Sequence, residues 1–320
     1  MFSAVIVLGF TIPLPPTPTQ IAVASAVPRL VAGAKGHAEQ KTCFACHNQT
    51  YPLLALAAAR DSGHEIPEKF FKAQGEHIAG FLAANKERFR DGRGTGGQAA
   101  TASFALFTLE LAGYAPDDTT AAAAEYLLKF PGERDYWRTT SNRPPTEASS
   151  FTITYVAMRA LRKFGAVADK DKIAKRVQSA RGWLVKTPAK DTEDRVFRLL
   201  GLKEAGAPEK ELAATAFELL QTQRSDGGWS QLDNGESDAY GTGSALFALH
   251  HGGGLKAATP AYQAGVAYLL KTQQADGSWK VKTRSKPFQP YYESGFPHEK
   301  DQFISISATG WATAALAPVK

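Results

Sequence analysis

Apolar residues recur along most of the chain at the spacing that places them on one face of a helix. Amphipathic segments of this kind alternate with shorter, more uniformly apolar ones such as Phe104–Leu109. Little of the sequence alternates with the two-residue period of a strand. The pattern therefore predicts an all-α protein of helical hairpins, with amphipathic helices over 121–129, 173–186, 213–223 and 264–273.

A glycine closes several of the apolar segments, four residues after a leucine. Glycine is the expected residue at such a place because it accepts the left-handed conformation at the end of a helix. Spacings of about 40 to 70 residues between these sites leave room for a second helix in each unit and indicate an internal repeat. The pairs are Leu109 and Gly113, Leu161 and Gly165, Leu202 and Gly206, and Leu249 and Gly253.

A sharper repeat follows two of the amphipathic segments. Gln223 precedes Asp226-Gly227-Gly-Trp229, and Gln273 precedes Asp276-Gly277-Ser-Trp279. The Asp-Gly pair favours a turn, and the tryptophan can pack against a neighbouring hairpin. These segments resemble the QW repeats of squalene–hopene and oxidosqualene cyclases, whose superfamily includes the protein prenyltransferase β subunits. The resemblance implies an α/α toroid, in which an inner ring of helices surrounds a cavity.

The only two cysteines form a compact motif with a histidine, Cys43-Phe-Ala-Cys46-His47. This C-x-x-C-H pattern is typical of covalent attachment of a c-type haem, with the thiols bound to the porphyrin. The sequence therefore predicts haem c at Cys43 and Cys46, with His47 as an axial ligand of the iron. A disulfide, a reduced thiol pair or half of a zinc site are the alternatives.

The N-terminal residues have the character of a secretory signal. An apolar stretch over 4–10 is followed by Ala24-Ser25-Ala26, a small-residue cleavage site. We divide the chain into a signal peptide at 1–26, an N-terminal segment with the motif at 27–50 and a toroid at 51–320. The mature protein is then exported, to the periplasm or outside the cell, and no other segment reaches the ~20 apolar residues of a membrane span. The chain resembles exported bacterial proteins in which C-x-x-C-H precedes a squalene-cyclase-like toroid.

Composition excludes one large class of partners. Apolar residues make up 43% of the chain and charged residues 21%, as in an ordinary globular protein with a sizeable core. The net charge of +6 is spread along the chain rather than gathered in one stripe. Nucleic-acid binding, which needs a concentrated basic surface or a recognisable motif, is therefore not expected.

The acidic motifs of the cyclase superfamily are missing. The resemblance implies an Asp-x-Asp-Asp motif for alkene protonation, and an Asp-Asp-x-x-Asp motif for diphosphate ionisation. The chain has no copy of the first, and Asp117-Asp118 lacks the third acid of the second. Asp238 is the remaining catalytic candidate, although an aspartate at a helix start is also a favoured cap. The acids that enter successive inner helices are Glu147, Asp194, Asp238 and Asp301.

Three functions remain open at this point. The main prediction is an exported toroid with covalent haem, acting with a redox partner in electron transfer or in haem-linked sensing or ligand binding. The first alternative is a squalene or terpenoid cyclase-like enzyme, or a binder of an apolar small molecule in the toroid cavity. An aromatic loop over 285–300 would then gate that cavity. The second alternative is a non-catalytic interaction scaffold.

Overall fold

Residues 15–130, 134–287 and 290–319 are described by the structure, a computed structural model. These residues form α-helices joined by turns and one two-residue strand pair, in the order α1 (Pro18–Gln40), α2 (Tyr51–Asp61), α3 (Glu68–Ala84), α4 (Lys86–Arg90), α5 (Ala99–Leu111), α6 (Asp118–Lys129), α7 (Ser150–Phe164), α8 (Lys170–Lys186), α9 (Thr192–Glu204), α10 (Glu209–Leu220), β1 (Trp229–Ser230), β2 (Ser237–Asp238), α11 (Ala239–His251), α12 (Pro260–Thr272) and α13 (Gln302–Leu316). The strands β1 and β2 pair antiparallel. A π-helical turn spans Cys46–Thr50, and 3₁₀ turns span Val167–Asp169 and Glu299–Asp301. Within the described ranges, no helix combines the length and the apolar character needed to cross a membrane.

The helices form two concentric rings. The inner ring runs α2, α5, α7, α9, α11 and α13, and α13 packs back against α2 to close it. The outer helices α1, α3, α6, α8, α10 and α12 each contact the inner helix of the same hairpin. The predicted all-α toroid is therefore confirmed.

Glycines in the inner ring allow neighbouring backbones to approach closely. A Cβ atom on Gly243 of α11 would lie 2.6 Å from the backbone nitrogen of Ala312 in α13. A Cβ atom on Gly310 of α13 would lie 2.7 Å from the carbonyl oxygen of Tyr51 in α2. Because atoms cannot pack this tightly, the small residues at the starts of the inner helices hold the ring at its observed diameter.

The repeated tryptophans occupy equivalent buried sites. The indole Nε1 of Trp229 donates to the carbonyl oxygen of Leu219 at 3.1 Å, and that of Trp279 donates to Leu269 at 2.9 Å. Trp137, in a copy that lacks the rest of the motif, donates to Leu127 at 2.8 Å. All three side chains are fully buried. The tryptophan thus joins the end of an outer helix to the next inner helix in each of these units.

The helix α1 completes the outer ring. The Gln223 side chain donates to the carbonyl oxygen of Ala261 in the next outer helix, α12, at 2.8 Å. The equivalent Gln273 donates to Ala22 in α1 at 2.9 Å, so α1 is the outer helix that follows α12. The ring therefore extends N-terminal to residue 51, the start expected from the sequence. The expected boundary after Ala26 falls inside α1, where Ala22 and Ala26 are buried.

Residues 1–14 of the expected signal peptide lie outside the described residues. Cleavage after residue 26 stays a prediction. Its structural consequence is specific, because it would remove the N-terminal part of α1 and with it the Ala22 carbonyl that Gln273 contacts.

Replacing Gln273 with Ala should lower the free energy of unfolding by about 1–3 kcal/mol, because two buried carbonyl groups lose their donor. These carbonyls belong to Ala22 and Gly277. Gln223→Ala is the matched control, since the Gln223 amide donates to the equivalent carbonyls of Gly227 in its own turn and Ala261 in α12. Chemical denaturation of both variants measures the difference. A Gln273→Ala protein as stable as the parent, beside a weakened Gln223→Ala protein, would show that α1 does not close the ring.

Candidate functional site

The C-x-x-C-H motif lies in the wall of the toroid, in the connection from α1 to α2. Its π-helical turn packs against α5 and α13 of the inner ring. The segment is held by side chains that bond to backbone carbonyls, since His37 Nε2 lies 2.8 Å from the Cys43 carbonyl oxygen and the Asn48 amide donates to the Gly33 carbonyl oxygen at 3.2 Å. Cys43 is exposed, Cys46 is buried, and the two thiols are not joined in a disulfide. The motif is thus part of the ring rather than of a separate domain that precedes it.

Three chemically active side chains meet at this point. The Cys46 thiol donates to Glu147 Oε1 at 3.3 Å and lies 4.0 Å from His47 Nδ1. Glu147 comes from the connection between α6 and α7 and forms an ion pair with Arg143. One ligand atom from each of Cys46, His47 and Glu147 lies within 4.8 Å of the other two. We call these three residues the Cys–His–Glu cluster.

Burial controls the protonation of the cluster. Burial raises the pKa of the Cys46 thiol to about 11, so the thiol is neutral at physiological pH. Burial, with smaller contributions from His37 and Arg143, lowers the pKa of His47 to about 3. The imidazole is therefore neutral as well, and its ring centroid lies 4.9 Å from that of Phe303. Its Nε2 atom is buried and has no hydrogen-bond partner in the described chain.

Two cavities adjoin the cluster. The larger has a volume of about 810 Å³ and the smaller about 380 Å³. Both are lined by the cluster and by Arg143. Their apolar walls come from Phe44, Phe81, Phe104 and Tyr292 in the larger cavity and from Pro144, Pro145, Pro287, Pro290, Tyr291, Phe303 and Ile304 in the smaller one.

The loop predicted over 285–300 contributes to both cavities. Pro287 lines both of them, Tyr292 lines the larger, and Tyr291 lines the smaller. Residues 288–289 of the loop lie outside the described residues. Pro287, Pro290, Tyr291 and Tyr292 of this loop therefore form cavity wall, and gating by the loop stays a prediction.

The charged side chains that line the cavities are mostly cationic. Among the described lining residues, Glu147 is the one acidic side chain in either cavity. The cationic side chains are Lys41, Arg88, Arg143 and Lys286 in the larger cavity and Arg143, Lys286 and Lys300 in the smaller one. Since Glu147 is paired with Arg143, the remaining lysines give the cavities a positive potential that favours an anionic group.

Asp238, the catalytic candidate from the sequence, caps the inner helix α11. Its Oδ1 atom accepts a bond from the Gly241 backbone nitrogen at 2.8 Å, and its Oδ2 atom accepts one from Gln231 at 2.9 Å. Asp238 does not line either cavity. The structure thus shows the capping arrangement, and a catalytic role for Asp238 stays a prediction.

A buried glutamate inside the ring was not singled out from the sequence. Glu193 of α9 accepts hydrogen bonds from Thr152 at 2.8 Å and from the Tyr240 hydroxyl at 3.0 Å. The Tyr240 hydroxyl also lies 2.9 Å from Thr146 Oγ1, which lines the smaller cavity. Burial, with a smaller contribution from the nearby Asp191, raises the pKa of Glu193 to about 8. Glu193 itself does not line either cavity.

Comparisons with known proteins agree with this architecture. Residues 164–319 match the family model of the squalene-hopene cyclase C-terminal domain. The chain has a squalene cyclase-like α/α toroid fold. The structure is similar to that of the type II terpene cyclase MstE from Scytonema in complex with merosterolic acid A, its product (TM-score 0.55, 14% identity, 94% of this chain and 98% of that one).

Two further solved structures are similar to this cyclase-like toroid. One is MstE from Scytonema in complex with its substrate, geranylgeranyl dihydroxybenzoate (TM-score 0.55, 12% identity, 94% of this chain and 98% of that one). The other is a protein from Actinoplanes (TM-score 0.53, 16% identity, 93% of this chain and 100% of that one). No curated protein matches the chain.

The main functional prediction from the sequence is corrected by these matches. We expected a haem protein acting in electron transfer or sensing, and this is wrong, since the family model and the named enzyme are cyclases. The physical reason is that C-x-x-C-H fixes only the spacing of two thiols and an imidazole. Here the motif is built into the wall of a cyclase-like toroid, where the Cys46 thiol bonds to Glu147. The matches do not test haem attachment to Cys43 and Cys46, iron ligation by His47 or export, which stay predictions.

Proposed function

We propose that this cyclase-like toroid binds a terpenoid-class molecule that carries an anionic group, with the hydrocarbon chain in the paired cavities. The observation that carries the proposal is the pairing of apolar walls with one-sided positive charge. Ligand sites are typically concave and mostly apolar, with a few polar groups that fix orientation, and volumes of about 300–1,000 Å³ are usual. Both cavities fall in this range.

Each part of the ligand has a matching part of the site. Phe81 and Phe104 offer aromatic faces to an unsaturated chain in the larger cavity. Lys286 lines both cavities and is exposed, so its ammonium group can meet an acidic group at the mouth. The similar enzyme MstE was solved with a geranylgeranyl dihydroxybenzoate and with merosterolic acid A, both terpenoid in character and both acids. This supports the ligand class proposed here.

Binding is proposed rather than cyclisation because of where the acids lie. Protonation of an alkene needs a strong acid aimed at the bound chain. Glu193 has a raised pKa and is therefore a weak acid, and it reaches the smaller cavity only through Tyr240 and Thr146. Asp238 bonds to a helix start outside both cavities. Neither carboxyl group has the strength and position that cyclisation requires, and Glu147, which lines both cavities, is ion-paired with Arg143.

Farnesoic acid, an isoprenoid carboxylate, should bind more tightly than farnesol, which has the same chain without the charge. Lys286→Met should weaken binding of the acid by about 3–10-fold, the effect of one exposed charge, and leave farnesol unchanged. Lys282→Met is the matched control, because Lys282 lies in the same connection between α12 and α13 but does not line either cavity. Titration calorimetry in the presence of EDTA measures all three proteins without a metal contribution.

Two outcomes would overturn the proposal. If neither farnesoic acid nor farnesol shows saturable binding, the cavities do not take a terpenoid chain. If the acid and the alcohol bind equally and Lys286→Met changes neither, the positive charge does not select the ligand.

A further inference from the structure

We infer that Cys46, His47 and Glu147 form a three-ligand site for Zn²⁺ whose open coordination position faces the two cavities. The site is independent of the proposed ligand, and only its role in holding that ligand rests on the proposed function. It brings a thiol and an imidazole from one turn together with a carboxylate about a hundred residues away in sequence.

The spacing of the ligand atoms suits a tetrahedral ion. Ideal Zn–S and Zn–O or Zn–N lengths place neighbouring ligand atoms of a tetrahedral site about 3.5 Å apart. Cys46 Sγ lies 3.3 Å from Glu147 Oε1 and 4.0 Å from His47 Nδ1. All three ligand atoms lie within 4.8 Å of one another, so small side-chain rotations bring them onto one ion.

The surroundings of the cluster fix the Glu147 carboxylate in place. Arg143 holds one oxygen of Glu147 and leaves the other directed at Cys46. A carboxylate fixed in this way resembles the ligating groups of metal sites, which are oriented by outer hydrogen bonds or ion pairs.

The ligand types select zinc among common ions. A thiolate excludes Mg²⁺ and Ca²⁺, which take oxygen ligands, whereas zinc accepts sulfur, nitrogen and oxygen together. Binding would release the Cys46 thiol proton to solvent, leaving a thiolate and a carboxylate against one divalent ion. Zinc sites with three protein ligands keep a fourth position for water or a ligand. Because the cluster lines both cavities, that position would accept the anionic group of the bound molecule.

The test is direct metal binding by the full chain without any terpenoid. After EDTA treatment and its removal, the parent should bind one Zn²⁺ per chain by calorimetry and elemental analysis. Co²⁺ should bind at the same site and give an intense near-ultraviolet band from the bond between cobalt and the Cys46 thiolate. Glu147→Gln should weaken Zn²⁺ binding by at least about 10-fold, a modest loss for a metal ligand.

Cys43→Ser is the matched control, because Cys43 belongs to the same motif but not to the cluster. This variant should keep the zinc and the cobalt band. Melting curves of each metal-free variant check that it folds. If Glu147→Gln does not fold, the cobalt band of the parent alone tests the site.

Three results would overturn the inference. The first is a parent that binds neither Zn²⁺ nor Co²⁺, and the second is a cobalt complex without the thiolate band. The third is a porphyrin held through Cys43 and Cys46, shown by a haemochrome spectrum that is lost in Cys43→Ser and kept in Glu147→Gln. Each differs from failure of the proposed function, because terpenoid binding is measured in EDTA.

Discussion

Replacing Trp279 with Ala should lower the free energy of unfolding by about 3–5 kcal/mol, the usual cost of emptying a large buried aromatic site. Trp279 is fully buried, and its indole nitrogen donates to Leu269 at the end of α12. Its backbone nitrogen also donates to Thr309 in α13 at 3.0 Å, so the residue joins the two helices of the last hairpin. Denaturation in urea, followed by circular dichroism, measures the change.

Trp137→Ala and Trp183→Ala sharpen this test. Trp137 has the same bonds as Trp279 although its copy of the repeat is degenerate, so its replacement should cost a similar amount. Trp183 is only partly buried and stacks on Tyr136 with ring centroids 4.3 Å apart, so its loss should cost less. A Trp279→Ala protein as stable as the parent would contradict the structural role of the repeat.

The two-ring architecture could be predicted from the sequence because it rests on local signals. Helical periodicity and glycine stops depend on neighbouring residues, and the Asp-Gly turn before Trp229 and Trp279 adds a marker for each hairpin. Trp137 makes the same indole bond to the preceding outer helix although its copy lacks the glutamine and the Asp-Gly turn, so the tryptophan alone marks the hairpin. What these signals cannot show is how the ring closes.

Closure of the ring depends on a contact between the two ends of the chain. Gln273 reaches Ala22 across about 250 residues, and the small residues Ala24-Ser25-Ala26 of α1 look like the cleavage site of a secretory signal. Small residues of this kind are found both at cleavage sites and in buried helices. Local pattern therefore placed the start of the toroid at residue 51, whereas packing places α1 within it.

The candidate site was predicted only in part, for a similar reason. The motif drew attention to Cys46 and His47, and Glu147 was noted as an acid that enters an inner helix. That these three side chains meet follows from the ring, because it brings the turn before α2 next to the connection before α7. A motif that fits haem chemistry in sequence thus becomes a cluster with a carboxylate in space.

Glu193 is the least predictable of the polar residues in the ring. It stands between Thr192 and Asp194 in a segment that looks like an ordinary helix cap, and Asp191 does cap α9. Its side chain instead turns to the inside of the ring and meets Thr152 and Tyr240. The position of Glu193 within the first turn of α9 sets the direction of its side chain, and no short sequence motif indicates that direction.

The ionisation of Glu193 should make the protein less stable as the pH rises. The pKa of Glu193 is raised by burial from its ordinary value of 4.5 to about 8 in the folded chain. Between these values the unfolded chain has lost the proton and the folded chain keeps it, so raising the pH favours unfolding. The contribution is roughly 1.4 kcal/mol per pH unit and roughly 5 kcal/mol over the whole window, and it stops changing above the folded pKa.

Glu193→Gln should remove this pH dependence, because glutamine has nearly the same shape and does not titrate. The variant loses one acceptor for the Tyr240 hydroxyl, so at pH 5 we expect it to be less stable than the parent. The stability of the variant relative to the parent should then improve by several kcal/mol as the pH rises to 8, because only the parent loses stability through the raised pKa of Glu193.

Glu236→Gln removes an exposed carboxyl and serves as the control, with a stability curve parallel to that of the parent. Urea denaturation at pH 5, 6.5 and 8 gives the three curves, and comparing differences cancels the histidines and aspartates that titrate in all of them. If the Glu193→Gln and parent curves run parallel, Glu193 is already ionised in the folded ring, and the hydroxyl groups of Thr152 and Tyr240 are then donors to a buried carboxylate.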